Sequence, residues 1–379
     1  MPNADELAVI TCNGQTYRDW KSVMVERDYG AFSSLFSFGA VEPGAFGQGW
    51  AAMRLKPGDA VTVTLAGITV ITGAITARST SIDAQGHELV LQGRSAVANL
   101  VDSSVPIKPG TFSGQTYEQV ARALLAPHGV GLVIKNPPPI FGKPFRWLVP
   151  QYGETVHEML QRLASMRGVF HTDDAQGNLV VGQGDPSAAP VATLQEGFNI
   201  KSATVRLINE SAWSKYTAVS QTPGDDNSRP PRDYSGSSVD STLPAGREKI
   251  VISPHPGDDS EMAAHANYLR AIDTWLQVQA TITVQGWKRP DGNLWNVTEN
   301  VSVKAPSLFP NADGTQTLGI QSVRYTQDSE NGTLTTLECI LPNALTTTPN
   351  PHVPTDANGN FTDGQALGTA KPDPSDTST

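Results

Sequence analysis

The sequence predicts a mainly β protein: two related antiparallel β-barrels with a small α+β domain inserted between them. Three observations carry this. In Gln277–Gln285, Val278, Ala280, Ile282 and Val284 alternate strictly with Gln277, Gln279, Thr281, Thr283 and Gln285, the mark of a strand with one buried face. Short apolar runs recur between Gly-, Asn- and Asp-bearing turns, as in barrels and sandwiches, and 34 Gly and 28 Pro beside only 17% charged residues agree with that reading. The two ends of the chain also echo each other. Val61–Val63, Ile71–Ile75 and Ser79–Ala98 run in the same order as Val301–Val303, Leu318–Val323 and Tyr325–Ala344, with a polar turn around Gly86 or Gly332 before each long strand.

Residues 1–105 form the first barrel. Leu7–Cys12 meets a hairpin signal at Asn13-Gly14, and Ser22–Val25 follows. Residues 28–50 are rich in Phe and Gly, with Phe32, Phe36, Phe38 and Phe46 destined for the core or for a partner. Pro57-Gly58-Asp59 then turns the chain into Val61–Leu65, and Ala66-Gly67 turns it into Thr69–Ile71. Gly86 separates Ala74–Ile82 from Leu89–Leu91.

Residues 106–190 change period. Thr116 with Gln119, and Thr155 with Glu158, each spell a capping box ahead of an apolar helical face. Those faces are Val120, Leu124 and Leu125 in one helix and Val156, Met159, Leu160 and Leu163 in the other. Each helix stops at a glycine, Gly129 or Gly168, and leads into an apolar strand. The two helix–strand units repeat at an offset of 39 residues, with the Pro-rich loop 136–144 between them. Asp173-Asp174 reads as a turn pair ahead of Leu179–Val181.

The second barrel occupies 191–345. It contains strands at Ala203–Leu207 and Ser214–Val219, a long polar loop over 222–246, a helix over 259–272 and the strands from Gln277 onward. Residues 346–379 read as an extended Pro- and Thr-rich tail.

Charge and cysteines narrow the function. A net charge of −10 argues against sequence-independent binding to nucleic acid, which needs surplus Lys and Arg. Cys12 and Cys339 sit in strand-like surroundings and are expected as buried reduced thiols. Met1–Glu6 lacks the basic start and apolar core of a signal peptide, and no apolar run is long enough to insert in a membrane.

One string invites an enzymatic reading. Ile250–Glu261 contains His255-Pro-Gly-Asp258-Asp259, similar to the metal-binding motif of zinc-dependent deacetylases, with His265 as a third ligand. Here Gly257 shifts the carboxylates relative to the imidazole. Helix capping is the favoured reading, with Asp258 as the cap and Glu261 at the third helical position, where acids suit the positive helix end. His128, His157 and His171 lack ligand spacing, and Arg54, Arg78 and Arg94 form no basic stripe. Trp275, Trp287 and Trp295 are expected in the core. No catalytic residue, metal or cofactor is expected.

The order of these strings resembles a known family. Ala263-x-x-Ala266-x-x-Leu269-Arg270, Thr283-Val-Gln-Gly286-Trp287, Gly292-x-Leu294-Trp295, Val301–Val303, Ser322–Tyr325, Gly332–Leu337 and Pro342–Ala344 follow one another. Pro57-Gly58-Asp59, Ile71-Thr-Gly73 and Gly93-Arg94-Ser95 with Leu100-Val-Asp102 precede them. Together they are similar to the baseplate hub proteins of Mu-like contractile-tailed phages, over most of residues 7–345. Pro57, Gly58, Asp59, Gly73, Gly93, Arg94, Leu269, Arg270, Gly286, Trp287, Gly292, Trp295, Gly332 and Pro342 are the structural markers of that match. The resemblance, shared with the hub of T4-like phages, implies tail-tube-like barrels in a homotrimer that joins a hexameric tail tube to the central spike and lines the DNA channel. It implies the spike and the tube, or an adjoining tube-like protein, as partners, with wedge and tape-measure proteins beside them. It places the protein in the virion baseplate after assembly in the host cytoplasm. Two related barrels in each of three chains would present six similar surfaces, reconciling threefold with sixfold symmetry. Strands 277–285 and 334–341 are candidates for such contacts. The same part in a phage-tail-like bacteriocin, a cell-wall-binding tail module and the zinc deacetylase are the alternatives.

Overall fold

The computed structural model describes residues 6–42, 54–82, 87–106, 108, 110–146, 148–210, 213–222, 232–241, 243–253, 257–310 and 313–346. Phe46, His255 and the C-terminal tail beyond Thr346 lie outside the described residues.

The N-terminal strands are β1 (Ala8–Cys12), β2 (Gln15–Tyr17), β3 (Ser22–Asp28), β4 (Leu35–Glu42), β5 (Ala60–Leu65), β6 (Ile68–Ile82) and β7 (His87–Ser95). β1 and β2 form the hairpin expected at Asn13-Gly14, whose φ angles of 50° and 75° give the mirror-image turn that matches strand twist. β6 is one strand where the sequence suggested two. Gly73 does not break it: a Cβ there would strike the Arg94 carbonyl, so glycine is what lets β6 and β7 come together.

The inserted α+β unit comprises α1 (Tyr117–Leu125), β8 (Leu132–Lys135), α2 (Val156–Arg167), β9 (Phe170–Asp173) and β10 (Leu179–Gly182). Both capping boxes form, Thr116 with Gln119 and Thr155 with Glu158, and Gly168 caps α2 in the left-handed conformation. β10 lies between β8 (parallel) and β9 (antiparallel), so the two copies of the helix–strand unit meet the same strand from opposite sides.

The C-terminal part contains β11 (Thr193–Gln195), β12 (Ser202–Leu207), β13 (Lys215–Thr222), β14 (Arg232–Val239), β15 (Glu248–Ile252), α3 (Asp259–Gln277), β16 (Val278–Gln285), β17 (Asn300–Lys304), β18 (Thr315–Asp328) and β19 (Gly332–Ile340). Two expectations are corrected here. The polar stretch 222–246 is not all loop, because β14 lies within it and pairs along β13 from Lys215–Val239 to Thr222–Arg232. Its Ser- and Gly-rich sequence disguises it, and the packing explains that composition: a Cβ on Gly236 would collide with the Ala263 backbone of α3. The helix also runs to Gln277 rather than stopping at 272. Trp275 remains helical, 5% exposed, with its indole N–H donating to Gln321 Oε1 at 2.6 Å.

Among the described residues the strands of both expected barrels join one 13-stranded sheet, ordered β12-β16-β19-β18-β3-β4-β7-β6-β5-β1-β2, with β17 on β18 and β11 on β17. The ladder is open at β12 and β2. Within it the long-range echo becomes a repeated pairing scheme. β4, β7, β6 and β5 lie in that order, and β16, β19, β18 and β17 repeat it. Val61 pairs with Gly73 as Val301 pairs with Leu318. Ile75 pairs with Gly93 and Ala77 with Gln92 across a bulge, just as Ile320 pairs with Cys339 and Ser322 with Glu338 across another. Each copy ends in a 3-10 turn, Ala96–Leu100 or Pro342–Thr346.

Three clusters of buried side chains support these layers. The largest runs through both halves of the sheet, from Ile10, Phe36 and Phe38 to Trp287, Tyr325 and Leu337. A second fills the α+β unit around Tyr117, Leu160 and Leu163. A small third holds α3 on the sheet β14-β13-β15 through Tyr216, Ala218, Met262 and Ala266.

Candidate functional site

The described end of the enzyme-like segment, Asp258–Glu261, forms a helix cap. Asp258 Oδ1 accepts from the backbone N–H groups of Ser260 and Glu261, and Glu261 Oε2 accepts from the Asp258 N–H, completing a capping box. Asp258 Oδ2 pairs with Lys143. Burial pushes the Asp258 carboxyl up, but the hydrogen bonds from Lys143, Ser260 and the Glu261 backbone outweigh it and hold its pKa at about 2. Asp259 accepts from the Ser235 N–H at 3.1 Å. His265 is half-buried beside Tyr268, and burial lowers its pKa. Both carboxylates are thus engaged by the fold, and among the described residues no cluster of three or more His, Cys, Asp or Glu is placed to hold a metal ion.

The same segment fastens α3 to the α+β unit. Arg167, fully buried at the end of α2, donates to Glu261 Oε1 at 2.9 Å and to the Lys143 carbonyl at 3.0 Å, with its guanidinium 3.9 Å from the centre of the Phe145 ring. Lys143 lies in the Pro-rich loop 136–144, so the loop, both helices and their caps form one polar joint.

A second joint fixes the α+β unit to the sheet. Asp173 is not a turn residue: it ends β9, and its carboxylate accepts from the Ser34 N–H at 2.8 Å and the Ser34 hydroxyl at 2.6 Å. Arg27 donates to the Asp173 carbonyl at 2.9 Å. Asp174 alone caps the turn, accepting from the N–H groups of Gln176 and Asn178. Beside this joint His171 is buried, hydrogen-bonded through Nε2 to the Tyr117 hydroxyl and through Nδ1 to Gln161 at 3.1 Å. Burial, and then the charge of His157, lower its pKa to about 3, so the ring stays neutral.

A cleft of about 600 Å³ lies between the sheet and the α+β unit, lined by Arg27, Asp173, Arg289, Glu299, Trp295 and Tyr325. Arg27, Asp173, Arg289 and Glu299 are held by other groups of the protein. Arg289 binds Asp291 at 2.9 Å and Glu299 at 2.6 Å, and Arg27 donates to Asn296. Among the described residues that line it, none is a nucleophile with an adjacent base.

β16 and β19, the candidate contact strands, lie inside the sheet with one face buried. Each has a strand on both sides, and Ala280, Ile282, Val284, Leu337 and Cys339 are buried beneath them. Alternation reveals a buried face and says nothing about which strand ends the sheet. Among the described residues the most exposed large apolar groups are Ile250 and Ile252 on β15, Val239 on β14, Leu207 on β12, and Phe198, Val149 and Tyr152 on loops.

The marker residues sit at turns, close approaches and core positions. Gly58, Gly286, Gly292 and Gly332 adopt positive φ at turns or strand ends. Asp59, after Pro57, accepts from the Lys56 N–H. Gly73 and Gly93 face β7 and Phe36 where a Cβ has no room. Arg94 pairs with Asp102, Leu269 packs against the cluster that holds α3 on its sheet, and Arg270 donates to the Val239 carbonyl. Trp287 and Trp295 are 1% and 3% exposed. Pro342 opens the final 3-10 turn.

Comparison with known proteins agrees with this geometry. Residues 8–95 match the sequence family described as Mu phage baseplate assembly protein GpP-like, N-terminal, and residues 97–183 match the second domain of the gp44-like baseplate hub proteins. Baseplate hub protein gp44 of Escherichia phage Mu is 28% identical over 308 residues, covering 78% of each chain. This chain is a relative of the Mu-type baseplate hub. The 43 kDa tail protein of prophage MuSo2 from Shewanella oneidensis is 27% identical, with a TM-score of 0.74 over 90% of this chain and 100% of that one. A tail protein from Neisseria meningitidis, 24% identical, shares the fold at a TM-score of 0.73 over 90% and 98% of the two chains. The Mu-type hub relative is thus a virion tail and baseplate protein, and no helix among its described residues is long and apolar enough to cross a membrane.

Proposed function

We propose that this Mu-hub relative forms a homotrimeric collar joining the hexameric tail tube to the central spike, lines the DNA channel, and makes or breaks no covalent bond in doing so. The observation that carries the reading is the twice-used pairing scheme, β4-β7-β6-β5 and β16-β19-β18-β17, within one sheet. Three such chains offer six similar units to a sixfold tube and keep three equivalent positions for a spike. Residues 1–105 and 191–345 supply the tube-like parts, 106–190 the outlying α+β domain, and the tail after 345 a contact with a neighbour. The marker residues hold the turns and close approaches of that frame. Wedge and tape-measure proteins are further partners. The test is native mass of the purified chain, alone and with its cognate tube and spike proteins. A three-copy species that binds both supports the reading, and a monomer that binds neither overturns it.

A further inference from the structure

The cleft between the sheet and the α+β unit carries hydrogen-bonding capacity that the chain leaves unspent. Its acids are committed. The Asp173 carboxylate accepts twice from Ser34, Asp174 accepts from the Gln176 and Asn178 backbone N–H groups, and Glu299 accepts from Arg289 and the Asn296 N–H. Two of its bases are not. Among the described residues Arg27 donates to neutral acceptors, Asn296 Oδ1 and the Asp173 carbonyl, and the exposed Lys135 has no carboxylate partner.

The same walls hold orphaned donors. The Arg27 Nε–H, the Trp295 indole N–H and the Thr172 hydroxyl are buried without a hydrogen-bond partner among the described residues, and all three residues line the cleft. Thr172 and Trp295 are 5% and 3% exposed. The indole and guanidinium nitrogens can only donate, and a buried donor left unpaired is costly. What the cleft lacks is an acceptor. Thr298, a further lining residue, is held at a φ of 69°, which a β-branched residue adopts only where its surroundings impose it. Backbone strain of this kind gathers at ligand sites.

We propose that this cleft binds a carboxylate, received by the Arg27 Nε–H, the Thr172 hydroxyl and the Trp295 indole N–H, with Lys135 supplying a second positive charge. An oxyanion meets both deficits at once, giving charge to the two cations and lone pairs to the three donors. The lining residues come from strands and turns and none opens a helix, the common seat of a phosphate. A carboxylate is therefore the expected group. The volume of about 600 Å³ is that of a small-molecule site and exceeds a lone ion, so the carboxylate arrives with the molecule that bears it. That molecule is a free small carboxylic acid or an acidic side chain of another protein. The inference is independent of how many copies form the collar.

The experiment is calorimetric titration of the full chain, at constant ionic strength, with succinate, with a short capped peptide bearing one glutamate, and with inorganic phosphate. The variants are Thr172→Val and Lys135→Gln, neither of which removes a polar contact made within the described chain. The wild type should bind a carboxylate probe saturably, and each variant should weaken that binding roughly tenfold, the effect of one lost charge-assisted hydrogen bond. Thr172→Val should leave the thermal midpoint unchanged or raised, because its hydroxyl has no partner to lose. Binding of succinate, with or without the peptide, supports a free acid as the ligand. Binding of the peptide alone supports an acidic segment of a neighbouring protein. A preference for phosphate overturns the carboxylate assignment. No saturable binding of any probe, or binding that both variants leave unchanged, overturns the site.

Discussion

Arg167 and Glu261, 94 positions apart, form a 2.9 Å ion pair in which the arginine side chain is fully buried. The pair joins the end of α2 to the first turn of α3, and so the α+β unit to the C-terminal part of the chain. Removing one member of a buried pair leaves the other charge without its counterion. Arg167→Met is expected to destabilise the chain by about 3 kcal/mol in urea unfolding. Arg167→Met with Glu261→Gln should recover part of that loss, because the orphaned charge goes with it.

His171 gives the protein an acid-sensitive centre. Its folded pKa, about 3 through burial and the nearby His157, lies below the ordinary histidine value of about 6.5. The unfolded chain therefore binds a proton that the folded chain refuses. Stability is complete above pH 6.5 and falls as the pH drops from there toward 3, with a slope of about 1 kcal/mol per pH unit from this group. Urea unfolding at pH 7, 6 and 5 should show that slope in the wild type, and His171→Gln should flatten it. Carboxylates such as Asp258 and Asp291, both held at about 2, lose their contribution only at lower pH.

Gly93 tests the repeat's close packing. A Cβ at this position would strike the Phe36 ring and the Ala74 carbonyl, so Gly93→Ala is expected to cost about 2 kcal/mol through forced displacement. Gly14→Ala, at a turn with open space, should cost less, through its φ of 75° alone. Thermal midpoints of the two variants measure the difference.

Both cysteines should be silent in the folded chain. Cys12 and Cys339 are 3% and 1% exposed, and burial pushes both thiols up. A chromogenic thiol reagent should react with neither at pH 8 and with both in denaturant. Fast labelling of the native protein would show that the sheet opens.

The hairpin at Asn13-Gly14, the two capping boxes, the Gly168 stop and the alternation of β16 were all legible, because each is written in neighbouring residues. Asp258 as a helix cap was legible for the same reason. β14 was not, since its small polar residues answer to the backbone of α3, which lies nearby only after folding. Asp173 looked like its neighbour Asp174, and nothing local shows that its carboxylate reaches Ser34 across 139 positions.

By itself the sequence determined the mainly β class, the inserted helix–strand repeat, the echo between the two ends and the kinship with baseplate hubs. Tertiary structure decided that both halves share one sheet through β3 and β18 and that β16 and β19 lie inside it. The physical reason is that burial periodicity and turn chemistry are local, whereas a strand's neighbours are set by backbone hydrogen bonds that carry no residue code.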